Sequence, residues 1–155
     1  MWRYIKILLL ILGGNMTQNF KISKGEEKIL QILLKNNIQV IREKTFTDLK
    51  RGKYRFDFYL PQFNICIEYD SEIHFQYIPY IHKTKQNFLA AQERDRRKNS
   101  YCLSHNINLY RIPYFSIDII KNFSDLFNEE FIVKSKWHND MLIKRRNYGN
   151  TTSNL

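Results

Sequence analysis

The sequence predicts an α/β fold, a mixed sheet flanked by helices in the order α-β-β-β-α-β, on three observations. An amphipathic helical pattern comes first, three short runs rich in branched and aromatic residues follow it, and a long helical stretch then separates the third run from a fourth. A helix of that length between two strands marks a parallel pair joined by a crossover, whereas the short gap between the second and third runs marks a hairpin. At 155 residues the chain has room for one core and not two.

Each element has its own signal. The first helix is expected over 23–37, where Ser23-Lys24-Gly25-Glu26 has the form of a capping box and Ile29, Leu30, Leu33 and Leu34 make an apolar stripe at helical spacing. Residues 38–46 alternate and are rich in branched side chains, a strand, and 48–53 form a basic turn around Gly52. Two more strands, 54–60 and 64–69, are separated by Pro61-Gln62-Phe63. The long helix covers 85–104, with Phe88, Ala91, Asp95 and Cys102 along one side, and the strand at 107–112 stops at Pro113. Residues 116–131 read as a last amphipathic helix. From Lys134 the chain is polar and basic, a loose tail with Lys144-Arg145-Arg146 as its charge cluster. At the other end, the apolar run from Ile7 to Leu12 is far short of the ~20 residues that span a bilayer, and Gly13-Gly14-Asn15 lacks a signal-cleavage pattern. Met16 offers a start just before the first helix, so 1–15 is read as an extension that need not be native. The expected organisation is that extension, one domain over 16–132 and a flexible basic tail over 133–155.

Composition narrows the function classes. Hydrophobic residues at 43% and aromatics at 15% exclude a disordered chain. Lysine and arginine number 25 against 15 acids, a net charge of +10, which suits a polyanionic partner, nucleic acid being the commonest. Cys66 and Cys102 lie in separate apolar stretches with neither disulfide nor zinc spacing, so a cytoplasmic, non-membrane setting is expected.

The hairpin carries the chemistry. If its turn is centred on Gln62-Phe63, Asp57 lies directly opposite Glu68, where like charges destabilise a sheet unless a cation sits between them. Asp70, two residues on, projects from the same face as Glu68, giving three carboxylates at one strand end. Such hard oxygen ligands suit Mg²⁺, with Mn²⁺ as a substitute. Phe56, Phe58, Ile65 and Ile67 are expected to pack one face and leave the acids on the other. The competing reading is of acids solvated on an open face, and one register slip would part Asp57 from Glu68. His74, just past the strand, titrates near neutral pH as a base that activates a water must. Asp95 faces the sheet and needs a partner: a metal, His74, or a nearby Arg or Lys. Lys98, one turn on, is placed to neutralise a phosphate, and Glu26 divides between completing the capping box and supporting the site. Phe75, Tyr77 and Tyr80 are either base-step wedges or ordinary core.

Taken together, Phe56-Asp57-Phe58, Ile67-Glu68-Tyr69-Asp70, His74, Glu93-Arg94-Asp95-Arg96-Arg97 and Leu109-Tyr110-Arg111-Ile112 resemble the restriction-endonuclease-like PD-(D/E)XK superfamily. They are closest to the branch of very-short-patch-repair (Vsr) endonucleases and EDxHD phage homing endonucleases, over roughly residues 20–115. The resemblance implies a restriction-endonuclease-like core and Mg²⁺-dependent hydrolysis of DNA phosphodiesters by a monomer or homodimer. It implies that Asp57 binds metal, that Glu68 stands at the second, variable motif position, that His74 acts on the attacking water, that Asp95 is the acid of the following helix, and that Glu26 is the first-helix glutamate. The metal set expected from the hairpin is Asp57, Glu68 and Asp70. Phe56 replaces the motif proline and Asp70 the motif lysine, so the proton-transfer and charge roles of that lysine fall to His74 or Lys98. Phosphate contacts are expected from Lys50, Arg51, Lys53, Arg94 and Arg97. A catalytically idle nucleic-acid-binding module of the same fold and an RNA-cutting or structure-specific nuclease remain the alternatives.

Overall fold

The protein is described by a computed structural model over residues 22–142; the extension at 1–15 and Lys144-Arg145-Arg146 lie outside the described residues. Helix α1, Lys24–Lys35, starts at the expected capping box: the Glu26 N–H donates to Ser23 Oγ at 3.2 Å and the Ser23 N–H to Glu26 Oε2 at 2.7 Å. Gly25 lies against the Tyr69 ring, where a Cβ would come within 2.2 Å of it. Only glycine permits that approach, which seats the first turn of the helix against the third strand and brings Glu26 toward the strand end.

Four strands follow: β1, Ile41–Thr45; β2, Arg55–Leu60; β3, Ile65–Asp70; and β4, Asn108–Pro113. Their order in the sheet is β1-β2-β3-β4, with β1/β2 and β2/β3 antiparallel and β3/β4 parallel from Ile65↔Asn108 to Asp70↔Pro113. A one-turn helix α2, Pro79–His82, and the long α3, Lys85–Ser104, make the crossover. This is the predicted α/β architecture, a mixed sheet flanked by helices. One core gathers Ile29, Leu33, Phe58, Ile67 and Ile112 beneath α1. A second gathers Phe56, Cys66, Cys102 and Leu109 beneath α3.

The structure corrects three expectations. Phe56 and Phe58, two residues apart, enter different cores instead of sharing one face. The alternation of β2 therefore breaks at Asp57. Its neighbour across β1, Glu43, lies between the pairs Arg42↔Phe58 and Lys44↔Phe56 and has a left-handed φ of +52°. Residues 116–131 form no α-helix but two 3-10 segments, Tyr114–Ile119 and Ser124–Phe127. The Asp125 carboxylate takes the N–H groups of Lys121 and Asn122 at 2.7 and 2.8 Å and so competes with a continuous helical ladder. Finally, 133–142 is packed and not loose. The Val133 N–H donates to Leu109 O and the Arg111 N–H to Phe131 O, each at 2.8 Å, covering the outer edge of β4. His138, Asn139 and Leu142 beyond are buried. The domain thus runs past residue 132.

Candidate functional site

The expected register holds in the hairpin, with Phe58↔Ile67, Tyr59↔Cys66 and Leu60↔Ile65 as pairs. Beyond Phe58 and Ile67, side chains join the strands in place of backbone pairs. The Tyr69 N–H donates to Asp57 Oδ2 at 2.8 Å, and the Asp57 N–H donates to Glu68 Oε1 at 3.3 Å. Asp57 and Glu68 are thus locked side by side at the point where β2 breaks its alternation. From α3, Lys98 Nζ donates to both oxygens of Glu68 at 2.9 and 2.8 Å and lies 5.1 Å from the centre of the Phe56 ring. Burial and the neighbouring Glu68 charge push the Asp57 carboxyl well above its usual range. Burial works against the Lys98 charge, but Glu68 and Asp57 outweigh it and raise its pKa.

Two further acids act on this pair. Glu26 spends its carboxylate on the capping box, while its charge still acts on Asp57. Glu43 escaped the sequence reading. Burial raises its pKa against the pull of Arg42, and the charges of Glu26 and Glu68 raise it further. Only the β1/β2 register, which places it across from Asp57, would have exposed it.

Asp70 does not join this pair, contrary to the expected metal trio. It is fully buried and accepts Arg111 Nε and Nη2, both at 2.7 Å, and Asn139 Nδ2 at 3.0 Å. Arg111, also fully buried, reaches Asp95 Oδ1 at 2.9 Å through Nη2 and Asn99 Oδ1 at 3.1 Å through Nη1. A guanidinium with five donors in a fixed fork is the side chain that can serve two carboxylates and an amide together. Asp95 Oδ2 lies 2.8 Å from His74 Nδ1, so Asp95 finds His74 and Arg111, two of its expected partner types. Although burial disfavours the Asp95 charge, Arg111 and the His74 hydrogen bond hold its carboxyl far below the usual range. Because Asp95 is ionised, the Nδ1–H of His74 is the donor, and Nε2 is left without a hydrogen bond among the described residues. Burial lowers the His74 pKa, but Asp70 and the Asp95 contact outweigh it, so the net shift is upward.

The basic residues stand apart from these clusters. Lys50, Arg51 and Lys53 are exposed on the turn between β1 and β2, where Lys50 and Arg51 have φ of +48° and +55°. Arg94 is exposed, while Arg97 donates to Glu93 Oε1 at 3.0 Å across one helical turn. Of the aromatic wedge candidates, Phe75 is buried against Tyr114 and Phe115, and Tyr77 packs on His82 and Phe88. Only Tyr80, 94% exposed, faces solvent. Arg111, Asn99 and Asn139 were not among the sequence candidates for the site. Arg111 carried a signal, a lone arginine inside an apolar strand, because a buried charge requires carboxylates.

Fold and site together define an α/β domain whose sheet ends in two buried charge clusters, an acid–lysine pair and an arginine-centred network. The chain is 35% identical over 75 residues to Uncharacterized protein 307L of Invertebrate iridescent virus 6, a match covering 47% of this chain and 38% of that protein's length. No family model and no solved structure matches. Among the described residues no helix is long and apolar enough to cross a membrane, and no group of three or more His, Cys, Asp or Glu side chains is arranged to hold a metal ion.

Proposed function

We propose that the protein is a metal-dependent endonuclease acting on DNA, with Asp57, Glu68, Lys98 and His74 as its working residues. One observation carries the reading. Two carboxylates are locked together in a partly buried position and the one ammonium there bonds only Glu68, leaving an acidic excess that burial makes costly. A divalent cation would relieve that excess. Two carboxylates fit magnesium, which commonly takes one or two and completes its shell with water and phosphate oxygens, so the loss of Asp70 from the set does not weaken the fit. A magnesium or manganese ion held by Asp57 and Glu68 would polarise the scissile phosphate and acidify a water.

The chain's own groups have separate tasks. Lys98 holds Glu68 in place and offers positive charge to a phosphate oxygen. His74, fixed through Nδ1–H by Asp95, presents Nε2 to take a proton. Arg111 bonds Asp70 and Asp95, keeps Asp95 ionised and so fixes the ring's orientation. Lys50, Arg51, Lys53 and Arg94 serve the DNA backbone. Cys66 and Cys102, free and buried, support a reducing, cytoplasmic setting.

The test is nicking of supercoiled plasmid with Mg²⁺ and with EDTA, with RNA and branched DNA run alongside. Wild type converts plasmid to the nicked or linear form only with metal, while Asp57→Asn and Glu68→Gln do not. If wild type binds DNA but cuts none of the substrates, the domain is an idle binding module and the proposal fails.

A further inference from the structure

The segment that follows the sheet carries a feature the proposed chemistry does not use. Trp137 is 46% exposed, and two cations lie over its ring, Arg96 and Lys136, each 4.7 Å from the ring centre. Arg96 is fixed there by Asp140, through Nη2 at 3.2 Å and Nε at 3.4 Å. Lys136 is exposed and makes no ion pair among the described residues, so its ammonium is free to leave the ring for a phosphate. Met141, also partly exposed, donates its N–H to Trp137 O at 3.1 Å and continues the apolar patch by one turn. Arg96, Lys136 and Asp140 also line a recess beside His74, together with Gln92 and Asn139. The Oδ1 of Asn139 is buried with no hydrogen-bond partner, because its Nδ2 is committed to Asp70. The two cations that lie over the indole, Arg96 and Lys136, thus also line the recess that holds the ring proposed to take the proton.

Resting on the proposed nuclease function, we infer that residues 134–142 form a nucleotide subsite in which Trp137 stacks an unpaired base of the substrate strand and Lys136 contacts its phosphate. An aromatic face with cations at its rim is the chemistry that holds single strands without reading sequence. A base within a duplex has both faces occupied by its neighbours, so the occupant is a nucleotide at a strand end, a gap or a flipped position. The Asn139 acceptor next to the patch suits an N–H or O–H donor arriving with that strand.

The experiment uses the full chain with Trp2→Phe, which leaves Trp137 as the one tryptophan of two. Single-stranded DNA and the same sequence as intact duplex are titrated while tryptophan emission and the anisotropy of a fluorescein label are followed. The single strand quenches Trp137, and in the labelled assay Trp137→Ala weakens single-strand binding by about tenfold while Trp137→Phe keeps most of it. Intact duplex is affected much less. Lys136→Ala lowers the salt dependence of binding by about one counterion. Trp137→Phe and a thermal melt of each variant separate loss of stacking from loss of fold. Absence of quenching, or wild-type affinity in Trp137→Ala, overturns the subsite while leaving the nuclease reading intact. No binding of wild type to either DNA overturns both.

Discussion

The two charge clusters at the end of the sheet are two residues apart on β3, Glu68 in one and Asp70 in the other, yet their charges are balanced in opposite ways. Around Arg111 one guanidinium donates to both carboxylates, Asp70 and Asp95, and Asp95 is held far below its usual pKa. Around Lys98 the ammonium bonds both oxygens of Glu68, and Asp57, which it does not bond, is pushed well above its usual pKa. Each cluster has two carboxylates and one permanent cation, so the difference lies in whether that cation bonds both acids or only one. The arginine cluster is complete within the protein and acts as structure. The lysine cluster carries surplus negative charge that only a proton or a bound cation can offset, which is what a ligand site requires.

The strongest way to break this contrast is at Arg111. Arg111→Met leaves Asp70 and Asp95 buried without their cation and should cost about 3–5 kcal/mol, read from urea denaturation at pH 7. An unchanged midpoint would mean that the network is not structural. Asp57→Asn should have the opposite effect. Plasmid nicking should fall at least a hundredfold, while the metal-free protein gains about 1 kcal/mol, a few degrees in Tm, because the amide can still accept from Tyr69 without adding a buried charge. If Asp57→Asn destabilises as Arg111→Met does, the two clusters are alike after all.

The pH dependence sharpens the comparison. The Asp57 pKa is raised, so in the absence of metal its contribution favours folding at low pH and is lost as pH rises through the folded value. The Asp95 pKa is lowered, so its contribution is present above about pH 4 and is lost as acid approaches the folded value. A metal-free stability profile of Asp57→Asn should lack the first component and keep the second. In the proposed function His74 works with both clusters. Its raised pKa means that stability from the protonated ring is present below the ordinary value of 6.5 and lost through the folded value, whereas cleavage needs the neutral ring and should rise with pH above 6.5. His74→Ala should cut the rate by about 10²–10⁴-fold and abolish that rise. The smallest effect is expected at Asn139→Ala, which removes one donor from Asp70 and should cost about 1 kcal/mol with little change in the cleavage rate at saturating DNA.

How much of this was legible in the sequence depends on the range of the interaction. The hairpin could be read because its determinants are local: a short loop, Asn64 in a left-handed turn with φ of +52°, and alternating residues that fix one register. That register placed Asp57 beside Glu68. The bounds of α3 followed from its helical run, and the parallel β3/β4 pair from the length of the crossover. The break at Asp57 was not legible, because it depends on Glu43 in a neighbouring strand taking a left-handed backbone. Nor was the fate of Asp70, whose partners Arg111 and Asn139 lie 41 and 69 residues away along the chain.

By itself the sequence determined the α/β class, the facing pair Asp57 and Glu68, and the basic excess, since each follows from spacing within a few residues or from composition. Tertiary structure decided which acids are finished and which are left in surplus. A carboxylate's role depends on the nearest cation, and in this protein the choice between Lys98 and Arg111 was made by how α3, β4 and residues 133–142 pack against β3.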